Sequence, residues 1–493
     1  MKKIQKLTFN HKFIGKLVAI ICMLEGVAMV PAAFCAIFLE EYDAAWALCV
    51  TSFIGVMFGA AGSFATRKHK IKIRIRESYY VVLVCWLTTI TMSIFPYWLS
   101  NSGYSLSDSI FESVASWTTS SAWVIDIDTV PKSLILWKAT SNWLGGMGVV
   151  LLAILIMSVL GVEGQKMANA EIPGPTLEKA KPRMLDTAKV LYGVYILISI
   201  IELVLLMAGD VPFFDALVNT MSSVSTAGVM DYRDCVSIYF TPYVKTVLII
   251  FSVIASLNFI LFIKLREGKV REVFRDYELR IFLMIIAIAS LFIAFMLMLE
   301  GRSDSFGSAL IDAAAGAVSF GTTSGIAIEN VETWPSVCKV VLFTLMIIGG
   351  CANSTSGGIK VIRAAIYMKL IHRGMYKRIH PQAIRPIMIK KRPVSAQNAS
   401  SISTFILLFT AIYLFSCVVL SLENFDMETT ITAPMALFTN TGVGFGLTSG
   451  AYYGAFSAPG KLYASLLMMA GRLEMYAILI VFSRSFWNAD RIK

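Results

Sequence analysis

The chain has 493 residues, of which 57% are hydrophobic and 15% charged, with a formal net charge of +11. Soluble domains carry about 25% charged and about 45–50% apolar residues, so a water-soluble globular fold is excluded. The positive charge does not point to nucleic acid, because Lys and Arg sit in short connections between apolar runs, where they act as topology signals.

Ten apolar segments follow in chain order, near 14–38, 45–65, 79–99, 133–161, 187–208, 239–263, 281–299, 334–366, 400–422 and 461–483. Each is long enough to cross a hydrocarbon core of ~30 Å. The first carries Glu25 and runs straight into the second, so it reads as a span and not as a cleavable leader. Dense positive charge lies in 1–12, in "RKHKIKIRIR" (67–76), in 164–183, in "KLREGKVREVFRDYELR" (264–280) and from Lys369 to Arg392. Each of these connections is preceded by an even number of crossings, so all share one face, and their charge assigns that face to the cytoplasm together with both termini. The eight cysteines include no CxxC pair and read as small hydrophobes.

Four outward connections share one plan. "SDSIFESVASW", "FDALVNTMSSV", "IDAAAGAVSFG" and "TTITAPMALF" are each too short to span a bilayer and read as re-entrant helices. Each runs into a polar loop: Thr118-Thr119-Ser120-Ser121, Ser225-Thr226-Ala227-Gly228, Thr322-Thr323-Ser324-Gly325 and Thr439-Asn440-Thr441-Gly442. Thirteen residues before each loop end stand Asp108, Asp215, Asp312 and Thr429, which the spacing predicts as helix N-caps. One such stretch alone reads as a helix-capping turn. Four at matched positions read as an internal repeat.

The expected fold is therefore an all-α integral membrane protein. A helix pair (1–66) precedes four tandem repeats of helix, re-entrant helix, loop and helix, at 67–162, 163–265, 266–393 and 394–493. Re-entrant loops must be buried in protein or line a water-filled cavity, so four of them converge on one axis, as a pseudo-fourfold central pore. A dehydrated cation needs a ring of oxygens, and backbone carbonyls supply one without a full charge in the membrane. The carbonyls of Thr118, Thr119, Ser225, Thr226, Thr322, Thr323, Thr439 and Asn440 are the expected ligands of K+ or Na+, a transported ion rather than a cofactor. No carboxylate lies in the loops, which argues against a calcium-type ring.

Two features interrupt the last apolar segments. In "IIGGCANSTSGGIK" (347–360), Gly349, Gly350, Asn353, Ser354, Thr355, Gly357 and Gly358 cannot continue a lipid-facing helix, and a broken helix below the loops could obstruct the path. Arg472 lies at membrane depth. It either projects into the path as a positive barrier or pairs with Glu474 or with the broken stretch. Lys138 is expected to snorkel from the outer end of its helix. "WLGGMG" (143–148) offers small residues for close helix contact.

With "WKATSNWLGGMGVVLLAI", "VEGQKMANAEIPGP", "GGCANSTSGGIKVIR" and "GRLE", these loops resemble the Trk/Ktr/HKT superfamily of potassium transporters, most closely the bacterial TrkH/TrkG type of Trk membrane subunit. The resemblance covers nearly the whole chain. It implies a pseudo-fourfold pore, a homodimer in the bacterial inner membrane, a cytoplasmic nucleotide-binding regulatory subunit, a gating role for the broken stretch and a pore-facing role for Arg472. One departure stands out: the first loop of potassium-selective members closes with Gly, and this chain has Ser121. In plant members, Ser at the matching position goes with sodium permeation. The rival class is a secondary transporter of small solutes, which would show inverted halves with discontinuous helices at matched positions. An enzyme is disfavoured, because His11, His69, His372 and His380 all fall in basic tails or loops and no catalytic constellation lies at membrane depth.

Overall fold

The computed structural model describes residues 11–65, 75–148, 184–228, 241–303, 305–326, 330–382, 386–389, 392–473 and 475–487. The basic stretches 1–10, 66–74 and 164–183, the far half of the crossing expected at 133–161, and Glu474 lie outside the described residues.

Two long helices, α1 (His11–Phe38) and α2 (Tyr42–Ala65), pack as an antiparallel pair. Small residues form their seam: the Ser52 hydroxyl donates to the Gly26 carbonyl at 2.7 Å, and a Cβ on Gly26 would stand 2.7 Å from the Ser52 carbonyl oxygen. Four units of one order follow. The first holds α3 (Ile75–Leu99), α4 (Leu106–Trp117) and α5 (Lys132–Gly146). The second holds α6 (Met184–Ala208), α7 (Phe213–Val224), α8 (Pro242–Ala255) and α9 (Ile260–Arg266). After a short α10 (Val270–Phe274) come α11 (Tyr277–Leu299), α12 (Phe306–Gly321), α13 (Ser336–Ile348) and α14 (Val361–Ile379). The last unit holds α15 (Ala396–Leu420), α16 (Met427–Phe438), α17 (Ala458–Arg472) and α18 (Tyr476–Phe482). Among the described residues, six helices are long and apolar enough to cross a membrane.

In each unit a long helix is followed by a short one and then by a return helix. The return helix packs against the short helix of the next unit: α5 on α7, α8 on α12, α13 on α16, and α17 back on α4. Three ion pairs follow the same cycle. Lys245, Lys339 and Lys461 are each the fourth residue of a return helix, and they reach Asp312 (3.2 Å), Glu428 (3.0 Å) and Asp108 (2.6 Å) on the next short helix.

The short helices begin earlier than the sequence suggests. Their N-caps are Ser105, Pro212, Ser305 and Asp426, not Asp108, Asp215, Asp312 and Thr429. The thirteen-residue offset marks the third helical residue in three units, and in the first of them the side chain reaches back to the cap: Asp108 accepts from the Ser105 amide at 3.0 Å. In α12 the start lies further back, and Asp312 is free of any capping role because it sits mid-helix, facing Lys245.

The return helices are also broken more widely than expected. The sequence marks an interruption only in 334–366, where 349–360 separates α13 from α14. The run 239–263 bends by 96° between α8 and α9, and 461–483 breaks between α17 and α18. Apolar composition conceals such breaks, because a run can stay hydrophobic while its backbone leaves the helix.

Candidate functional site

The four polar loops begin where the four short helices end. Thr118, Ser225, Thr322 and Thr439 are the C-caps. The next residue of each loop is left-handed, with φ of 57° at Thr119, 55° at Thr226, 55° at Thr323 and 58° at Asn440. In the first three loops the following amide reaches back to the carbonyl of Ala115, Ser222 or Ser319, which completes a Schellman ending. That ending normally takes Gly at the left-handed position. A β-branched Thr there costs on the order of 1–3 kcal/mol, and strain of this kind persists where function requires it. The left-handed turn recurs at the second position of all four loops.

All sixteen loop residues are buried. The first hydroxyl of each loop turns back into its own helix: Thr118 donates to Val114, Thr322 to Val318 and Thr439 to Met435, at 2.7–2.9 Å. These hydroxyls are therefore committed to their own helices. The fourth residues meet. A Cβ on Gly228 would lie 2.6 Å from the Ser121 Cβ, one on Gly442 would lie 2.7 Å from the Ser121 amide nitrogen, and one on Gly325 would overlap the Ser121 hydroxyl. Gly228, Gly325 and Gly442 have φ of 89°, 62° and 78°, whereas φ at Ser121 is not positive. The hydroxyl of Ser121 donates instead to the Thr441 carbonyl at 2.6 Å. Thus the serine takes a different backbone from its three counterparts, and its side chain occupies the space they leave open.

Behind the first loop, Lys138 is buried and lies 2.6 Å from Glu112 Oε2. The same ammonium donates to the Ala122 carbonyl at 2.7 Å and sits 3.4 Å from the Trp123 ring centroid. Glu112 Oε1 accepts the Val124 amide at 2.9 Å. Lys138 therefore does not snorkel: a short helix with a carboxylate lies within reach, and pairing there replaces the interface as its polar environment. On the fourth loop, the hydroxyl of Tyr453 donates to the Gly442 carbonyl at 2.9 Å.

The stretch 349–360 lies directly against the loops. Its ends close on each other, with the Ile359 amide on the Ile347 carbonyl at 3.1 Å. The Gly357 amide donates to Thr323 Oγ1 at 2.6 Å, and a Cβ on Gly357 would overlap the Thr439 carbonyl oxygen. On the other side the stretch meets the break between α8 and α9: Cys351 donates to the Ser256 carbonyl and Asn353 accepts from Phe259, both at 3.1 Å. Arg472 holds it laterally through the Thr355 carbonyl at 2.7 Å. Bonding to the broken stretch is one of the roles left open for Arg472; Glu474, the other expected partner, lies outside the described residues. Glu278, near the start of α11, anchors the stretch by accepting the Ala352 amide at 2.7 Å. The small residues of 143–148 do serve close contact, since a Cβ on Gly146 would stand 2.7 Å from the Ser225 Cβ.

Comparison with known proteins decides the family. Residues 46–489 match the family described as TrkH, cation transport protein. The chain belongs to the TrkH family of cation transport proteins. It is 30% identical over 487 residues to the Trk system potassium uptake protein TrkG of Escherichia coli (strain K12), covering 98% of this chain and 100% of that one. It is 29% identical over 493 residues to the Trk system potassium uptake protein TrkH of Vibrio parahaemolyticus, covering 97% and 100%. The crystal structure of the potassium transporter TrkH from Vibrio parahaemolyticus superposes with a TM-score of 0.86 at 26% identity, over 97% of this chain and 100% of that one. As a TrkH-family member the chain is a multi-pass, all-α membrane protein that transports cations, and it is not an enzyme.

Three supporting residues escape a sequence reading. Glu112, Tyr453 and Glu278 carry no local signal of their roles. Asn440 does carry one, being the single carboxamide among four loops, but its partner is far away in sequence.

Proposed function

We propose that the chain takes up potassium across the bacterial inner membrane through a selectivity filter formed by the four loops around a pseudo-fourfold pore. The observation that carries this reading is the shared left-handed turn of Thr119, Thr226, Thr323 and Asn440 at the ends of four buried short helices whose loops meet at Ser121. Helix C-terminal ends carry partial negative charge, so four of them aimed at one point favour a cation. In this reading the carbonyls of Thr118, Thr119, Ser225, Thr226, Thr322, Thr323, Thr439 and Asn440 replace the ion's water. Gly349, Gly350, Asn353, Ser354, Thr355, Gly357 and Gly358 belong to the gate, which Arg472 holds beneath the filter. The basic connections support cytoplasmic termini. A homodimer and a cytoplasmic nucleotide-binding regulatory subunit complete the proposal on the strength of the family resemblance.

A second reading, weak discrimination against Na+, is favoured by Ser121, whose backbone departs from the three glycines. The experiment that tests both is cation flux into proteoliposomes with K+, Rb+, Na+ and Li+ compared side by side. Flux of K+ and Rb+ with smaller but measurable Na+ flux is expected. A folded, reconstituted protein that passes none of these ions would refute the proposal.

A further inference from the structure

Loops 1 and 4 are joined in both directions by side chains. Ser121 of loop 1 donates to the Thr441 carbonyl of loop 4 at 2.6 Å. Asn440 of loop 4 donates through Nδ2 to the Thr118 carbonyl of loop 1 at 2.8 Å. Among the described residues, no side chain of loops 2 or 3 donates to a carbonyl of a neighbouring loop; the hydroxyls of Ser225, Thr226, Thr322 and Ser324 bond within their own segment, and that of Thr323 accepts the Gly357 amide. The seam is thus closed at two levels, at the first and the third loop positions.

The backbone alone does not account for Asn440. A left-handed residue is favoured as Asn, so the choice over Thr is conformationally easy. Yet the other three loops hold the same turn with Thr, and of the four residues at this position only Asn440 donates to a carbonyl of another loop among the described residues. The fold also makes room for it: Gly471 of α17 passes so close that a Cβ there would lie 2.8 Å from Asn440 Oδ1. A carbonyl oxygen has two lone pairs, so one hydrogen bond leaves it able to meet an ion while orienting it and weakening its field.

We infer that Asn440 is a specificity-determining residue of the cation site, acting with Ser121 to set the spacing and the carbonyl field between loops 1 and 4. This rests on the filter reading above. Asn440→Gly is the decisive variant, because Gly accepts the left-handed backbone without strain while the side chain that carries the donor is removed. The K+/Na+ permeability ratio, read from reversal potentials, is expected to change by roughly fivefold, the scale of one intramolecular hydrogen bond. Ser121→Ala, which keeps the Cβ and removes the donor, is expected to move the ratio in the same direction. The double variant should shift it by less than the product of the two, since both bonds hold one seam. Size-exclusion profiles confirm folding, and Asn440→Thr, which copies the other three loops, serves if the glycine variant does not fold. A conducting wild type whose ratio is unmoved by the Asn440 variant, or whose variants combine as a simple product, overturns the inference. A wild type that conducts no cation overturns the filter reading on which it depends.

Discussion

The guanidinium of Arg472 donates to the Thr355 carbonyl at 2.7 Å and, through its other terminal nitrogen, to the carbonyls of Gly145 (2.6 Å) and Gly146 (3.0 Å). One side chain thereby ties the end of α5 to the broken stretch of the third unit. Its charge and its hydrogen-bond geometry are separable by substitution. Arg472→Lys keeps the charge, but a point ammonium cannot reproduce the planar fork across three carbonyls. Both Arg472→Ala and Arg472→Lys are expected to raise basal Rb+ uptake, Ala by more. A lysine variant as tight as wild type would assign the barrier to charge alone, and an alanine variant with unchanged uptake would remove Arg472 from gating.

Gly357 offers a gate test that does not shorten the chain. A Cβ there would overlap the Thr439 carbonyl oxygen, so Gly357→Ala must push the stretch away from the loops. Basal flux should rise while the protein stays monodisperse. Gly374→Ala on α14 is the control, because nothing lies within 4 Å of its added Cβ. Equal flux in both variants would reduce 349–360 to a packing feature.

The buried pair of Lys138 and Glu112 should matter for stability through its desolvation. Removing one partner leaves an uncompensated buried charge, a loss of about 3–5 kcal/mol. Lys138→Met is therefore expected to lower the melting temperature sharply. The double variant Lys138→Met with Glu112→Leu should recover much of the loss, as apolar replacements of whole buried pairs often do. A single variant that melts like wild type would contradict the pairing.

At the loop ends, Ser121→Gly removes the hydroxyl from the Thr441 carbonyl and permits the left-handed backbone of the other three loops. A tenfold shift of the permeability ratio toward K+ needs only ~1.4 kcal/mol of differential free energy. Gly228→Ser, Gly325→Ser and Gly442→Ser should instead depress flux or selectivity, because each adds a Cβ at positive φ into a crowded centre. Strong K+ selectivity in the wild type, indifferent to Ser121→Gly, would show that this position does not choose the ion.

Orientation is open to cysteine labelling. Cysteines at Ser102, Arg302 and Tyr452 should react from outside the cell, and cytoplasm-only labelling of any of them would break the crossing map. Tyr453 suits this test on sequence grounds alone, but it is buried with its hydroxyl on the Gly442 carbonyl.

Apolar run length, the placement of Lys and Arg, and four polar loops after short amphipathic stretches were enough to read an all-α membrane chain with an internal repeat from the sequence. Those features are local: hydropathy, Gly content and charge act over one helix or one turn. The tertiary structure alone decided which groups meet. Lys461 pairs with Asp108 across 353 positions, Asn440 reaches Thr118 across 322 and Arg472 reaches Gly145 across 327. The cyclic packing of return helix on next short helix brings these residues together, and no local pattern encodes it. Lys138 illustrates the physical reason: an ammonium near a helix end goes to whichever polar environment is within reach, and here the fold placed Glu112 there before the interface.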